Sequence, residues 1–98
     1  MPTLVTGGSG YLGETLVTRL RARGDEVRVL DLVDTADRPS SVELVRGDVR
    51  DRATVRRALE GVSVVHHAVA QVPLAKDRSL FWSVNVEGTR VLLEESLR

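Results

Sequence analysis

The fold of this chain is decided by a glycine-rich stretch near its start, which reads Val5-Thr6-Gly7-Gly8-Ser9-Gly10-Tyr11-Leu12-Gly13. Two spacings overlap in it: Gly8 begins a G-x-G-x-x-G pattern, and Gly7 begins a G-x-x-G-x-x-G pattern. A short apolar strand precedes the stretch and an apolar-striped helix follows it. Such a loop turns sharply and brings bare backbone to a helix N-terminus, where N–H groups and the helix dipole attract a pyrophosphate.

A carboxylate farther along the chain strengthens this interpretation. Asp31 ends the next predicted strand and follows Gly13 at close to the ~20 residues typical of a ribose-binding acid. The pattern therefore predicts a dinucleotide site rather than a glycine turn without a ligand. A P-loop is excluded because Glu14 stands where the phosphate-binding lysine must be. A nucleophile elbow around Ser9 is excluded because Tyr11 stands where that motif needs glycine.

Composition excludes several other classes of protein. The 98 residues are enough for one small domain, and 14 basic residues balance 14 acidic ones, so no broad field attracts nucleic acid or anionic membrane. The absence of cysteine excludes disulfides and thiolate metal sites and is compatible with the cytoplasm, the predicted location. No apolar run is long enough to span a membrane. Because the first strand starts almost at Met1, we expect no signal peptide.

Local patterns predict four strands and three helices in alternation. The predicted strands are 3–6, 26–32, 42–46 and 62–69, and the predicted helices are 11–23, 52–60 and 79–98, with a loop at 33–41. The buried stripe of the first helix is expected to contain Leu12, Leu16, Val17 and Leu20, and Gly24 to end that helix. Asp51 is the expected N-cap of the second helix. The fourth strand is apolar enough to be buried on both faces.

This alternation predicts an α/β fold of the Rossmann type, a doubly wound parallel sheet with strand order 3-2-1-4 and helices on both faces. A complete sheet of this kind continues to strands five and six, so the predicted sheet is incomplete. The last helix is apolar on several sides and reaches Arg98 without a stop signal. We therefore expect residues 1–98 to be the N-terminal portion of a dinucleotide-binding domain in a longer protein, with the substrate-binding part absent.

Four segments, in order along the chain, resemble the extended short-chain dehydrogenase/reductases. This family includes nucleotide-sugar epimerases, dehydratases and 3β-hydroxysteroid dehydrogenases. The segments are Thr6 to Gly13 for T-G-x-x-G-x-x-G, Gly47-Asp48-Val49-Arg50-Asp51 for G-D-hydrophobic-x-D, Val64 to Ala70 for V-x-H-x-A-A, and Asn85-Val86-Glu87-Gly88-Thr89 for N-V-x-G-T. The departure is Val69, where the family more often has alanine.

The resemblance implies a role for each matching residue. Pyrophosphate would be held by Gly7, Gly10, Gly13 and the amides of Tyr11 and Leu12. The adenosine ribose would be bound by Asp31, the adenine edge by Asp48 and the Val49 amide, and the nicotinamide ribose bordered by Ala68, Ala70 and Gln71. Asn85 would support the active site without being catalytic. Without the resemblance, Asp48 and Asp51 are ordinary turn residues, and Asp31 a solvated acid at a strand end.

The nature of the cofactor follows from Asp31. A carboxylate there favours the neutral 2′-hydroxyl of NAD and repels the 2′-phosphate of NADP. Leu32 supplies no compensating positive charge, although Arg38 in the next loop can approach, so NADP is less favoured rather than excluded. No metal site is expected at His66 and His67, since adjacent strand residues point to opposite faces. We expect these histidines to pack or to form hydrogen bonds.

The resemblance also implies an activity for the intact protein. Family members use a Tyr-x-x-x-Lys pair, but here the single tyrosine, Tyr11, lies in the glycine loop. We therefore expect the NAD-binding part of an NAD-dependent epimerase, dehydratase or hydroxysteroid-type dehydrogenase, inactive as these 98 residues alone. The intact protein would be a homodimer acting on a sugar nucleotide, a sterol or another alcohol. The alternatives are a non-catalytic NAD(P)-binding sensor and a scaffold that binds no cofactor.

Overall fold

A computed structural model describes residues 2–8, 11–68 and 83–97. The elements in chain order are β1 (Thr3–Thr6), α1 (Tyr11–Ala22), β2 (Val27–Asp31), β3 (Glu43–Arg46), α2 (Arg52–Leu59), β4 (Val64–His67), a π-helical turn (Ser83–Gly88) and α3 (Thr89–Ser96). The four predicted strands and the first two predicted helices are present, with ends that differ by a few positions, whereas the described part of the predicted last helix is π-helical over Ser83–Gly88 and α-helical only over Thr89–Ser96. The start of the predicted last helix, 79–82, lies outside the described residues. None of the described helices is long and apolar enough to cross a membrane.

The four strands form one parallel sheet in the order β3-β2-β1-β4, which confirms the predicted topology. β1 is central, and its last residue, Thr6, pairs with Leu30 of β2 and with His67 of β4. At the other side of β2, Asp31 pairs with Arg46 of β3. Since all four strands are parallel, their carboxyl ends lie at one edge of the sheet.

The sheet has an apolar cluster on each face, as a doubly wound fold requires. Successive side chains of β1 point to opposite faces, so Leu4 enters one cluster and Val5 the other, and both are fully buried. The cluster under α2 and α3 contains Leu4, Leu30, Val49, Val55, Ala58, Val91 and Leu92. The cluster under α1 contains Val5, Val17, Leu20, Val27, Val29 and Val42.

The prediction that the fourth strand is buried on both faces is wrong for the residues that the structure describes. Val64 is 49% exposed, and His67 is also exposed. β4 lies at the edge of the described sheet and pairs there with β1. An apolar run indicates a strand that is suited to burial, but it does not fix the position of that strand in the sheet.

Two predictions about helices also need correction. Leu12 was expected on the buried stripe of α1 but is 61% exposed, whereas Val17 and Leu20 are buried. Periodicity gives the face of a helix, but it does not show where along the axis the packing begins. Asp51 occupies the N-cap position of α2 with extended backbone, yet its carboxylate caps no backbone N–H. Instead it accepts the hydroxyl proton of Thr54, with an O···O distance of 2.6 Å.

The last helix is less apolar in its buried face than expected. Val91 and Leu92 are buried, but so is Glu95, which is 5% exposed. Arg56 of α2 compensates this charge with an Nε–Oε1 distance of 3.0 Å. In contrast, two leucines of the same segment face solvent: Leu93 is 59% exposed and Leu97 is 87% exposed. The pairing of α2 with α3 thus uses both apolar contacts and buried charge.

Candidate functional site

The turn after β1 depends on Gly7. Its φ angle is 70°, in the left-handed region that glycine enters without steric cost. The Gly7 amide donates to the carbonyl oxygen of Leu30 at 2.8 Å and so extends the pairing of β1 with β2. This amide is already used within the fold, so the contribution of Gly7 to a pyrophosphate site is the sharp change of chain direction.

Gly13 and Gly8 are required by close packing. A Cβ atom on Gly13 would lie 2.0 Å from the carbonyl oxygen of Gly7 and 2.6 Å from the Cα atom of Gly8. A Cβ atom on Gly8 would lie 2.6 Å from a methyl group of Val29. The first turn of α1 therefore lies directly against the turn that follows β1, and the glycines at positions 8 and 13 each have a physical cause.

The two residues whose amides are predicted to bind pyrophosphate lie at the beginning of α1. Tyr11 and Leu12 are its first two residues, and N–H groups in a first helical turn have no acceptor within the helix. The exposed Leu12 side chain places an apolar surface beside these amides. Gly10 and the Tyr11 side chain lie outside the described residues.

Asp31 lies where the sequence predicted it, at the carboxyl end of β2. Its Oδ1 atom accepts the amide proton of Val33 at 3.2 Å, and its carbonyl oxygen accepts that of Gly47 at 2.9 Å. These bonds orient the side chain and connect the ends of β2 and β3. Because the preceding residue, Leu30, bonds to the Gly7 amide, the carboxylate and the glycine turn occupy the same edge of the sheet.

Arg38, the cation that can approach Asp31, is held elsewhere. Its Nε atom lies 2.7 Å from Oδ1 of Asp34, and a terminal nitrogen lies 3.2 Å from Oδ2 of the same carboxylate. It also donates to the carbonyl oxygen of Val42. The bond from Arg38 is the main cause that lowers the pKa of Asp34. The guanidinium therefore stabilises the loop between β2 and β3.

Asp48 and Val49 form the turn after β3. The Asp48 carboxylate accepts the Arg50 amide proton at 2.8 Å and its Nε proton at 2.9 Å. The side-chain hydrogen bond from Arg50 lowers the pKa of Asp48. Val49 is only 5% exposed, so its side chain belongs to the core and only its backbone can face a ligand.

The end of β4 contains a contact that the sequence did not specify. His67 lies 2.6 Å from the Thr6 hydroxyl through Nδ1 and 3.0 Å from the Thr89 hydroxyl through Nε2. The prediction that a histidine here forms hydrogen bonds is confirmed for His67. Both threonines belong to the family-like motifs, so the sequence marked them as candidates. Their contact with His67 could be predicted only once the strand register was known. Ala68 follows, and its amide bonds to Thr6.

Three predicted residues cannot be placed fully. Ala70 and Gln71 lie outside the described residues. Asn85 lies in the π-helical turn, but its side chain is not among those described. Within the described residues, no group of three or more histidine or acidic side chains is arranged to hold a metal ion.

Comparison with known proteins agrees with this geometry. Residues 4–98 match the 3-beta hydroxysteroid dehydrogenase/isomerase family. The chain is 45% identical to sterol demethylase protein B of Methylococcus capsulatus over 100% of its own length and 31% of the relative. It is 39% identical to human sterol-4-alpha-carboxylate 3-dehydrogenase, decarboxylating, over 92% of this chain and 24% of that protein.

A solved structure shares the fold as well. The UDP-glucose 4-epimerase of Thermus thermophilus, crystallised with NAD, superposes with a TM-score of 0.86 and 40% identity, covering 97% of this chain and 33% of the epimerase. The chain thus spans about a quarter to a third of the length of these relatives. Both the fold and the predicted resemblance are confirmed. The chain belongs to the 3-beta hydroxysteroid dehydrogenase/isomerase family.

Proposed function

We propose that this chain is the NAD-binding, N-terminal part of an NAD-dependent dehydrogenase or epimerase, with residues 1–98 as the first portion of its Rossmann domain. The observation that carries the proposal is the packing of Gly13 against the Gly7 carbonyl oxygen, because any side chain at position 13 would displace the start of α1. This leaves bare backbone at a helix N-terminus, which is the arrangement that binds pyrophosphate. The NAD complex of the T. thermophilus epimerase supports the choice of ligand.

The residues around the turn suit the remaining parts of NAD. Asp31 would accept hydrogen bonds from the adenosine ribose, and Asp48 with the Val49 amide would contact adenine. The ionised state of Asp48 is favoured by Arg50, so this side chain would act as an acceptor. Ala68 would border the nicotinamide ribose together with Ala70 and Gln71. NAD would supply the hydride acceptor, while these residues bind and orient it.

Preference for NAD over NADP follows from the charges at the end of β2. Asp31 repels a 2′-phosphate. The sequence left open whether Arg38 could bind the 2′-phosphate. In the structure its guanidinium is engaged by Asp34 and by the Val42 carbonyl oxygen. Binding of a 2′-phosphate by Arg38 would require these bonds to break, so the loop opposes NADP in addition to Asp31.

The reaction belongs to the intact protein in this proposal. The names of the relatives support a sterol or another alcohol as substrate, with a sugar nucleotide as the second class. Hydride transfer also needs a group that moves the hydroxyl proton. Tyr11 is the only tyrosine of the chain, and the residue four positions before its only lysine, Lys76, is Val72. We therefore expect no turnover from these 98 residues alone.

A second candidate is a non-catalytic NAD-binding module, which would lack a Tyr-x-x-x-Lys pair in the remainder of the intact protein as well. The two candidates share the cofactor site and differ in activity. A homodimeric intact protein and a cytoplasmic location are further parts of the proposal. Sedimentation of the intact protein at micromolar concentration tests the first of these.

Calorimetric titration of the chain with NAD tests the shared site. We expect saturable binding that weakens about tenfold in Asp31→Ala, because hydrogen bonds to a charged group are lost. Asp37→Ala is the matched control, since Asp37 is an exposed acid of the loop between β2 and β3. Absence of NAD binding by the unmodified, folded chain would overturn the proposal.

A further inference from the structure

A continuous series of hydrogen bonds crosses the carboxyl edge of the sheet from β1 to α3. Thr6, the last residue of β1, is fully buried and immediately precedes the glycine turn. His67 contacts its hydroxyl through Nδ1 at 2.6 Å and the Thr89 hydroxyl through Nε2 at 3.0 Å. Thr89 is the first residue of α3 and follows the π-helical turn that contains Asn85. The imidazole thus connects the end of β1 with the start of α3.

The contacts of Thr6 assign the protons of this bridge. The Ala68 amide donates to the Thr6 hydroxyl oxygen at 3.1 Å. The buried Thr6 hydroxyl then donates its own proton to Nδ1 of His67. To accept this hydrogen bond, Nδ1 must be unprotonated. The proton of the neutral ring is therefore on Nε2, which donates to Thr89. Protonation of Nδ1 would remove the acceptor of the Thr6 hydroxyl. The two protons would then face each other, and the hydrogen bond would break.

The surroundings of His67 keep the ring neutral. Although part of the side chain is exposed, partial burial of the ring between Thr6 and Thr89 lowers its pKa below the usual value of 6.5, since a charged imidazole loses solvation there. The charged groups on the π-helical turn and α3 are engaged with other partners. Glu87 pairs with Arg90 at 2.9 Å, Glu94 with Arg52 at 2.9 Å, and Glu95 with Arg56 at 3.0 Å. β1 carries no charged residue, and on β4 the neighbouring titratable group is His66, which points to the opposite face.

We propose that His67 is a positioning residue for NAD, which ties the start of the phosphate turn at Thr6 to the start of α3 at Thr89 and releases α3 when protonated. This inference rests on the proposed NAD site. Thr6 leads into the residues assigned to pyrophosphate, and His67 itself precedes Ala68, which is assigned to the nicotinamide ribose. Thr89 follows the π-helical turn that contains Asn85, the residue expected to support the active site. The bridge therefore sets the separation of the two halves of the site.

The state of the bridge can be measured without cofactor. In the full chain labelled with ¹⁵N-histidine, NMR should show the Nε2–H tautomer for His67, with protonation at a pH below that of an ordinary histidine. An Nδ1–H tautomer would overturn the proton assignment. This measurement remains decisive even if the chain fails to bind NAD, in which case the proposed function fails separately.

Titration with NAD then tests positioning. His67→Asn keeps an acceptor near Nδ1, and His67→Gln keeps a donor near Nε2, so each retains one half of the bridge. We expect the Kd for NAD to rise about 3- to 10-fold in each, and by at least tenfold in His67→Ala, from the usual contribution of one or of two hydrogen bonds. Thr89→Val should behave as a half-bridge variant, and Thr89→Ser should restore binding. Ser96→Ala, at the far end of α3, is the control.

A purely structural role predicts a different result. It would lower the melting temperature of the His67 variants while leaving the Kd unchanged under conditions where all are folded, and this outcome would overturn the proposal. Acidification from about pH 7.5 to about 4.5, a range that extends well below the ordinary histidine pKa, should weaken NAD binding by the wild type but not by His67→Gln. The same pH dependence in His66→Gln as in the wild type attributes the effect to His67. A pH dependence that persists in His67→Gln would contradict the protonation step.

Discussion

Gly13 lies directly against the carbonyl oxygen of Gly7, so close that a Cβ atom on Gly13 would stand 2.0 Å from that oxygen. The atoms nearest to that Cβ position all belong to the backbone, since the Gly8 Cα atom is the next nearest at 2.6 Å. Neither side can yield by a change of rotamer. The contact therefore fixes how closely the first helix approaches the end of the central strand.

Gly13→Ala should destabilise the chain by about 3 kcal/mol, near the upper end for overpacked sites, and abolish NAD binding. Urea denaturation and calorimetric titration measure the two effects. Gly61→Ala is a useful control because Gly61 has a positive φ, 72°, but open space around it. Its cost should be only about 1–2 kcal/mol, from backbone strain. Equal costs at the two positions would contradict the packing argument.

Asp31→Ala combined with Leu32→Arg should shift cofactor preference toward NADP, because a repulsive carboxylate is removed and a cation is added. Adding Asp34→Asn should increase the shift, since this substitution weakens the hold on Arg38. The ratio of the Kd values for NAD and NADP is the measurement. Wild-type binding of NADP at least as tight as that of NAD would show that the role of Asp31 is wrong.

Asp48 should make stability depend on acid pH. Its pKa is lowered in the folded chain by the hydrogen bond from Arg50, so its contribution is fully present above the unfolded value near 3.8. That contribution is lost as the pH falls through the lower folded pKa. The difference in unfolding free energy between wild type and Asp48→Asn should therefore shrink between pH 5 and pH 2. A constant difference would contradict the assigned pairing.

Arg56→Met should destabilise the chain by about 2 kcal/mol, because it removes a partner from the buried carboxylate of Glu95. The double substitution Arg56→Met with Glu95→Met should recover most of this loss, since methionine suits the apolar contact of α2 with α3. Chemical denaturation of the two single variants and the double variant gives the coupling energy. Additive effects would show that the pair does not interact in solution.

Much of the fold followed from sequence because its signals are local. Strand and helix periodicity, with Gly24 and the glycine turn, placed the elements and led to the sheet order. Burial was less predictable because it depends on which other elements pack against a residue. Leu12 and Val64 are examples, since both are apolar and both are largely exposed.

The same distinction between local sequence signals and tertiary context applies to the candidate site. Asp31 was placed by its spacing from the glycine turn, a property of the chain alone. The bridge from His67 to Thr6 joins residues 61 positions apart, so it depends on strand register, which no local pattern contains. The capture of Arg38 by Asp34 was missed although the two are four residues apart, because loop conformation is not set by periodicity.

The central position of β1 has a consequence for biosynthesis. The strand is made first, yet one of its two partners begins at Val64, which pairs with Thr3. At about 5–20 residues per second, roughly 3–12 s of translation separate the two strands. Throughout that interval β1 has at least one open edge, and both edges are open until β2 is made, a form that invites pairing with other chains. The nascent chain is therefore most exposed to aggregation, and most in need of chaperone contact, before its fourth strand emerges from the ribosome.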